Sequence, residues 1–193
     1  MTCTDCEHRR AHAVEILRPD PDGDRPVVST ISAPITPEHL AIASGWTAAL
    51  QQHGAPDAAW DWRAHVRETT IVESEGCALA VDGDLQGLMI IAWAGHRSRD
   101  RSGKGLIYVE YLAVAPQNRR AMRNPTRYKH CGLALLAYAR HRSDVLGFRG
   151  RLGLHSLADP HTEAFYRRIG MRDFGPDSAE NNLRYFEFGL SRV

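Results

Sequence analysis

The stretch LIYVEYLAV, Leu106 to Val114, constrains the fold of this chain more than any other. It is almost continuously apolar and follows the polar run HRSRDRSGKG, so it reads as a strand near the centre of a sheet, covered on both faces. Before it, CALAV and LQGLMIIAWAG flank Asp82-Gly83-Asp84, the signal of a tight hairpin turn, and PVVSTISAPI supplies an earlier strand. After it, RLGLHSL and LRYFEFGL read as strands separated by DPHTEAFYRRIG, a helix capped by Asp159 with Pro160 in first position.

Helices supply the cover that such a sheet needs. TPEHLAIASGWTAALQQHG has Thr36 as cap, Pro37 first, Glu38 in the first turn and Gly54 as stop. Pro56 to Thr69 reads as a shorter helix with Asp57 as cap, and its Trp60 and Trp62 offer either core surface or the lining of an aromatic pocket. Beyond Arg127 a third helix carries Leu135, Leu136, Ala139, Ser143 and Leu146 along one stripe and stops at Gly147 and Gly150. The expected order is β-α-α-β-β-β-α-β-α-β-β, an α/β domain with a mixed sheet and helices on both faces.

A chain of 193 residues fits one such domain. Residues 1–26 are polar and rich in Pro and Asp, which predicts a flexible arm, with the domain proper over 27–193. A net charge of +1 gives no general attraction to nucleic acid or to a membrane surface, and no nucleic-acid motif is present. With no apolar run of about 18 residues and a polar start, the chain is expected in the cytoplasm and away from membranes. A homodimer stays open.

The third helix begins with a local contradiction. RYKHCGLALL places Arg127, Lys129 and His130 where the helix dipole is positive and the first N–H groups lack partners. An anion there resolves it, and a phosphate fits, since Gly132 permits close approach to the backbone.

Three motifs in this order resemble the GNAT superfamily of acyl-CoA-dependent N-acyltransferases. YLAVAP, Tyr111 to Pro116, is similar to that fold's fourth strand; RYKHCG, Arg127 to Gly132, to its pyrophosphate loop; and FYRRIGM, Phe165 to Met171, to its F-Y-x-x-x-G-[F/M] signature. The resemblance runs from about Val27 to Leu190 and implies a GNAT-like, mostly antiparallel central sheet. It also implies acetyl-CoA as donor, its diphosphate on Arg127, Tyr128, Lys129, His130, Cys131, Gly132 and Leu133, and its pantetheine arm beside Leu112, Ala113 and Val114. The backbone amides of those strand residues would meet the oxyanion. In two places the chain departs from the pattern. His130 stands where the family's first loop glycine usually lies. The ten residues Gln117 to Thr126, with Arg119, Arg120 and Arg123, separate Pro116 from Arg127 where the family has far fewer. That insertion could clamp the ribose phosphate of CoA, shape the acceptor entrance, bind a partner, or be a solvated loop.

Transfer to an amine requires a neutral amine, donors for the oxyanion and a proton for the thiolate. Tyr166 matches the family's general acid, with a reference pKa of about 10. Glu110 is the carboxylate within Leu106 to Val114, where burial would raise its pKa toward that of a base; a structural ion pair or an exposed position is the alternative. His155, with a reference pKa of about 6.5, is the rival base. Asp177 and Glu180 would favour a cationic acceptor if they face inward. No nucleophile elbow is visible, so direct attack in a ternary complex is expected. Cys131, at a helix start that lowers thiol pKa, reads as a small structural residue because of its packed loop.

At the N-terminus Cys3, Cys6, His8 and His12 offer four ligands suited to zinc, or a polar tail. The reading is an N-acetyltransferase using acyl-CoA and an amine acceptor. The alternative is a non-catalytic GNAT-like binding module acting through the Arg-rich insertion or the Cys/His arm.

Overall fold

The computed structural model describes residues 10–69 and 73–189. Along the chain run β1 (Arg10–Arg18), β2 (Arg25–Ala33), α1 (Pro37–Ser44), α2 (Thr47–Gln52), α3 (Trp62–Glu68), β3 (Ser74–Val81), β4 (Asp84–Ala92) and β5 (Ile107–Val114), then α4 (Cys131–Val145), β6 (Leu152–Ser156), α5 (Pro160–Arg168), β7 (Arg172–Asp177) and β8 (Leu183–Phe188). Short 3-10 turns cover Pro56–Ala59, Pro116–Asn118 and Ser178–Glu180. The strands form one mixed, mostly antiparallel sheet in the order β1-β2-β3-β4-β5-β6-β8-β7, with β5 and β6 parallel. Two compact units share the chain: residues up to Ile90 with Tyr111–Tyr138, and Ile91–Glu110 with the residues from Ala139 on. Among the described residues no helix is long and apolar enough to cross a membrane.

In the first unit, residues 10–18 of the arm expected over 1–26 form the strand β1. It pairs antiparallel with β2 from Arg10↔Ala33 to Arg18↔Arg25. Being an edge strand it packs only one side, so His12, Val14 and Ile16 turn inward between exposed Ala11, Ala13 and Glu15, and Ile16 is 1% exposed. Six of its nine residues are polar or small, which gives the segment the composition of a tail. The hairpin returns through a turn in which Asp20 accepts from the Gly23 and Asp22 amides at 3.1 Å each.

The helix expected over Thr36 to Gly54 is two helices. Thr36 caps α1, as its sequence position predicts, and exchanges hydrogen bonds with His39 in a capping box. The helix then ends at Gly45, where Trp46 turns into the core before α2 begins. Trp46, Leu50, Trp62, Ile35, Leu85, Leu88 and Ile90 are among the buried side chains of one cluster. Asp57 was expected to cap the next helix. Instead it is buried, and Asp61 caps α3 by accepting from the Arg63 and Ala64 amides at 3.0 and 3.1 Å. The turn between β3 and β4 is the one expected: Asp82 and Gly83 both have positive φ, 50° and 79°.

In the second unit, Ile107, Tyr108 and Val109 of β5 pair in parallel with Leu152, Gly153 and Leu154 of β6. On its other edge β6 pairs with β8, from Leu152↔Phe188 to Ser156↔Arg184. Asp159 caps α5 as expected, accepting from the Thr162 amide at 2.8 Å. Gly153 is required by a close approach. A Cβ there would lie 2.2 Å from the Tyr185 hydroxyl, so its absence lets that ring lie across β6.

Candidate functional site

The loop before α4 belongs to the first unit. His130 takes φ of +69°, the left-handed conformation that a glycine adopts readily, and its carbonyl accepts the first helical bond from Ala134 N at 2.9 Å. The imidazole is exposed, and the chain turns directly into α4, whose opening amides belong to Cys131, Gly132 and Leu133. Cys131 is buried, and burial outweighs the helix start, pushing its thiol up to about 12.

What holds this loop has no local signal in its own residues. Lys129 bridges to Leu17 of β1, donating to its carbonyl at 2.7 Å and accepting from its amide at 3.3 Å. Tyr128 is buried, with the guanidinium groups of Arg18 and Arg127 each 5.5 Å from its ring centre. The loop's positive charges have carboxylate partners: Lys129 Nζ is 2.8 Å from both oxygens of Asp24, and Arg127 is 2.5 Å from Asp84. Both pairs are exposed, so they cost little to exchange for another anion.

Much of the insertion over Gln117–Thr126 is structural. Arg119 donates to both carboxylate oxygens of buried Asp57, at 2.8 and 2.5 Å, and to the Val114 carbonyl at 2.6 Å. Asn118 donates to Gln86 and accepts from the Tyr128 amide, and Arg127 N donates to the Gln117 carbonyl, closing the loop at its base. Arg119 is therefore committed, while Arg120 and Arg123 are exposed. Of the strand residues assigned to the pantetheine arm, Ala113 is buried and Leu112 and Val114 half-buried. Tyr111 stands in an aromatic group: His65 stacks on it at 3.8 Å, and Trp60 and Trp62 meet it edge-on at 5.1 and 6.3 Å. Trp62 is core and Trp60 half-buried.

The second unit holds the acid and base candidates. Tyr166 is buried on α5 against Phe165 and Phe186, both rings centred 5.4 Å away, and burial pushes its hydroxyl pKa up. It is a protonated donor at neutral pH. Glu110 is exposed, so the burial on which its expected role as base depended is not met. His155 is enclosed instead. Its Nδ1 is 2.7 Å from the Tyr108 hydroxyl, its Nε2 is 3.1 Å from Asp177, and its side chain is only 9% exposed. Arg99 forms a close ion pair with the same Asp177 oxygen and covers the Tyr185 ring at 4.1 Å. Bonds from Arg99 first, and then from the Ala179 amide and His155, hold the Asp177 carboxyl down at about 2. Beneath lies Glu187, fully buried and satisfied by the Ser98 hydroxyl, the Arg99 amide at 2.8 Å and the Tyr185 hydroxyl at 3.2 Å.

His155 and Asp177 are among the residues singled out from the sequence, whereas Tyr108 and Glu187 are not. Tyr108 and Glu110 share one strand face two residues apart, the local signal that was available. Of the four zinc candidates, Cys3, Cys6 and His8 lie outside the described residues. His12 faces Tyr138 from β1, with ring centres 5.8 Å apart, and among the described residues no group of three metal-ligating side chains exists.

No family model matches the sequence, and no curated protein matches it either. Solved structures do match. The GNAT domain of S. lividans PAT superposes with a TM-score of 0.61 at 17% identity, over 93% of this chain and 97% of that one. Aminoglycoside 6'-acetyltransferase type Ii gives 0.55 at 16% identity, over 84% and 98%. The PaiA N-acetyltransferase from Thermoplasma acidophilum, in complex with coenzyme A, gives 0.52 at 12% identity, over 81% and 97%. The chain has the GNAT acetyltransferase fold.

Proposed function

We propose that this protein transfers an acetyl group from acetyl-CoA to an amine by direct attack. The observation that carries this reading is the left-handed turn at His130, which leads the 127–133 loop into α4, whose opening amides have no helical carbonyl to pair with, as a diphosphate cradle requires. Arg127 and Lys129 complete the cradle by exchanging exposed carboxylate partners for phosphate. Leu112 to Val114 carry the backbone groups for the thioester end of the donor. The buried phenol of Tyr166 protonates the departing thiolate. His155 is preferred to Glu110 as the base, because it is enclosed and held by a carboxylate while Glu110 is exposed.

The paired charges of Arg127 and Lys129 also favour a second reading, a GNAT-like module that binds a partner without catalysis. A thiol-release assay with acetyl-CoA and a panel of primary amines separates the two. The acyltransferase reading expects CoA release with at least one amine, reduced about 10²-fold or more in Tyr166→Phe. CoA release from no amine, or a fully active variant, contradicts it.

A further inference from the structure

Tyr108 and His155 lie on adjacent parallel strands, where Tyr108 pairs with Gly153 and the small glycine leaves the histidine two residues on to meet the phenol. The partners of His155 fix its tautomer. Asp177, held ionised by Arg99, can only accept, so Nε2 of a neutral His155 carries the ring proton and Nδ1 offers its lone pair. Tyr108 must then donate its O–H to Nδ1. This leaves the phenol oxygen as an acceptor whose own proton already points at a base.

The surroundings agree with traffic of a cation. His96 stacks on Tyr108 at 4.5 Å, with ring planes 6° apart. Burial first, and then the charges of Glu180, Glu110 and Asp177, push the Tyr108 pKa up to about 12, so it remains protonated at neutral pH. Those same carboxylates attract an ammonium group toward it. Around His155 itself stand Tyr108 from β5, Asp177 at the end of β7, Tyr185 from β8 at 5.0 Å between ring centres, and Arg99, which contacts both Asp177 and Tyr185.

We propose that Tyr108 receives the acceptor as a cationic primary amine and relays its proton to His155, with Asp177 and Arg99 as positioning residues. The idea rests on the acyltransferase reading and extends it to a residue and an acceptor charge state. In the step, one N–H bond of R–NH3⁺ breaks and its proton passes to the phenol oxygen as the phenol proton passes to His155 Nδ1. The products are a neutral amine, an unchanged tyrosine and an imidazolium held by Asp177. The amine lone pair then forms the C–N bond as the C–S bond breaks, and the second amine proton balances the thiolate.

Two measurements on the full chain test this. Long-range ¹H–¹⁵N NMR of the imidazole expects neutral His155 protonated at Nε2, and a weakened preference for that tautomer in Asp177→Asn, whose amide can donate to Nε2 as well as accept from it. Steady-state kinetics with acetyl-CoA and either spermidine or benzylamine expect Tyr108→Phe to lower kcat about 10²-fold with little change in the KM for acetyl-CoA. They also expect the acid limb of kcat/KM to change in Tyr108→Phe. A neutral Nδ1–H tautomer, or a Tyr108→Phe variant with wild-type kcat and pH profile, overturns the relay. If the wild type neither binds acetyl-CoA nor releases CoA, the acyltransferase reading has failed, and the tautomer and its response to Asp177→Asn decide whether the proton path exists.

Discussion

Arg119 reaches across 62 residues of sequence to place Nη1 and Nη2 on the two carboxylate oxygens of Asp57, at 2.8 and 2.5 Å. Asp57 is 5% exposed, so the pair ties the base of the arginine-rich loop to the one buried residue of the turn before α3. Removing one partner strands the other's charge in a largely dry site. Asp57→Ala is expected to lower stability by about 3 kcal/mol, and a double-mutant cycle with Arg119→Ala to recover part of that loss as coupling energy. Urea midpoints at constant slope report both.

His130 sets a test of backbone strain. The left-handed conformation costs a side-chain-bearing residue about 1–2 kcal/mol, and a glycine's extra freedom when unfolded returns about 0.5–1 kcal/mol. His130→Gly is therefore expected to be neutral or stabilising by up to about 1 kcal/mol, and His130→Val, whose branched Cβ tolerates positive φ worst, to be destabilising. Thermal unfolding that ranks valine at or above glycine would show that the loop does not hold this conformation.

How much of this was legible in the sequence follows from the range of the interactions involved. The hairpin at Asp82-Gly83, the Thr36 and Asp159 caps and the buried Leu135, Leu136, Ala139 and Ser143 of α4 are local devices, and each stands where its residues predict, while Leu146 falls past the helix end and is half-buried. The strand β1 escaped notice because an edge strand buries one face, and His12, Val14 and Ile16 were the only alternation to see. The break at Gly45-Trp46 was hidden for a different reason: whether a glycine is tolerated in a helix depends on what the next side chain packs against. The His155 group was half legible. A histidine in an apolar strand invites attention, but its partners stand 47 and 22 residues away, and no periodicity links them.

Gly153 carries a sharper prediction. A methyl group there collides with the Tyr185 hydroxyl and moves the ring off Glu187. Gly153→Ala is expected to cost about 1–3 kcal/mol, as overpacking does. The same substitution in a Tyr185→Phe background, where the colliding oxygen is gone, should cost much less; equal costs in both backgrounds would mean that the clash is not the cause.

The Asp177 carboxyl makes stability depend on acid. Its folded pKa is lowered to about 2 from an unfolded value of about 3.9. Its contribution is therefore fully present above about pH 4 and lost as the pH falls through about 2. Denaturant midpoints between pH 5 and pH 2 should fall less steeply for Asp177→Asn than for the wild type, and parallel curves would contradict the assigned ion pair.

The central claim is that the 127–133 loop binds the diphosphate of an acyl-CoA. Calorimetric titration with acetyl-CoA, alongside acetyl-pantetheine, which lacks the diphosphate, addresses it most directly. The account predicts one acetyl-CoA per chain with a dissociation constant on the order of micromolar, about −8 kcal/mol, and at least about 10²-fold weaker binding of acetyl-pantetheine. No detectable acetyl-CoA binding, or equal affinity for the two, would contradict it.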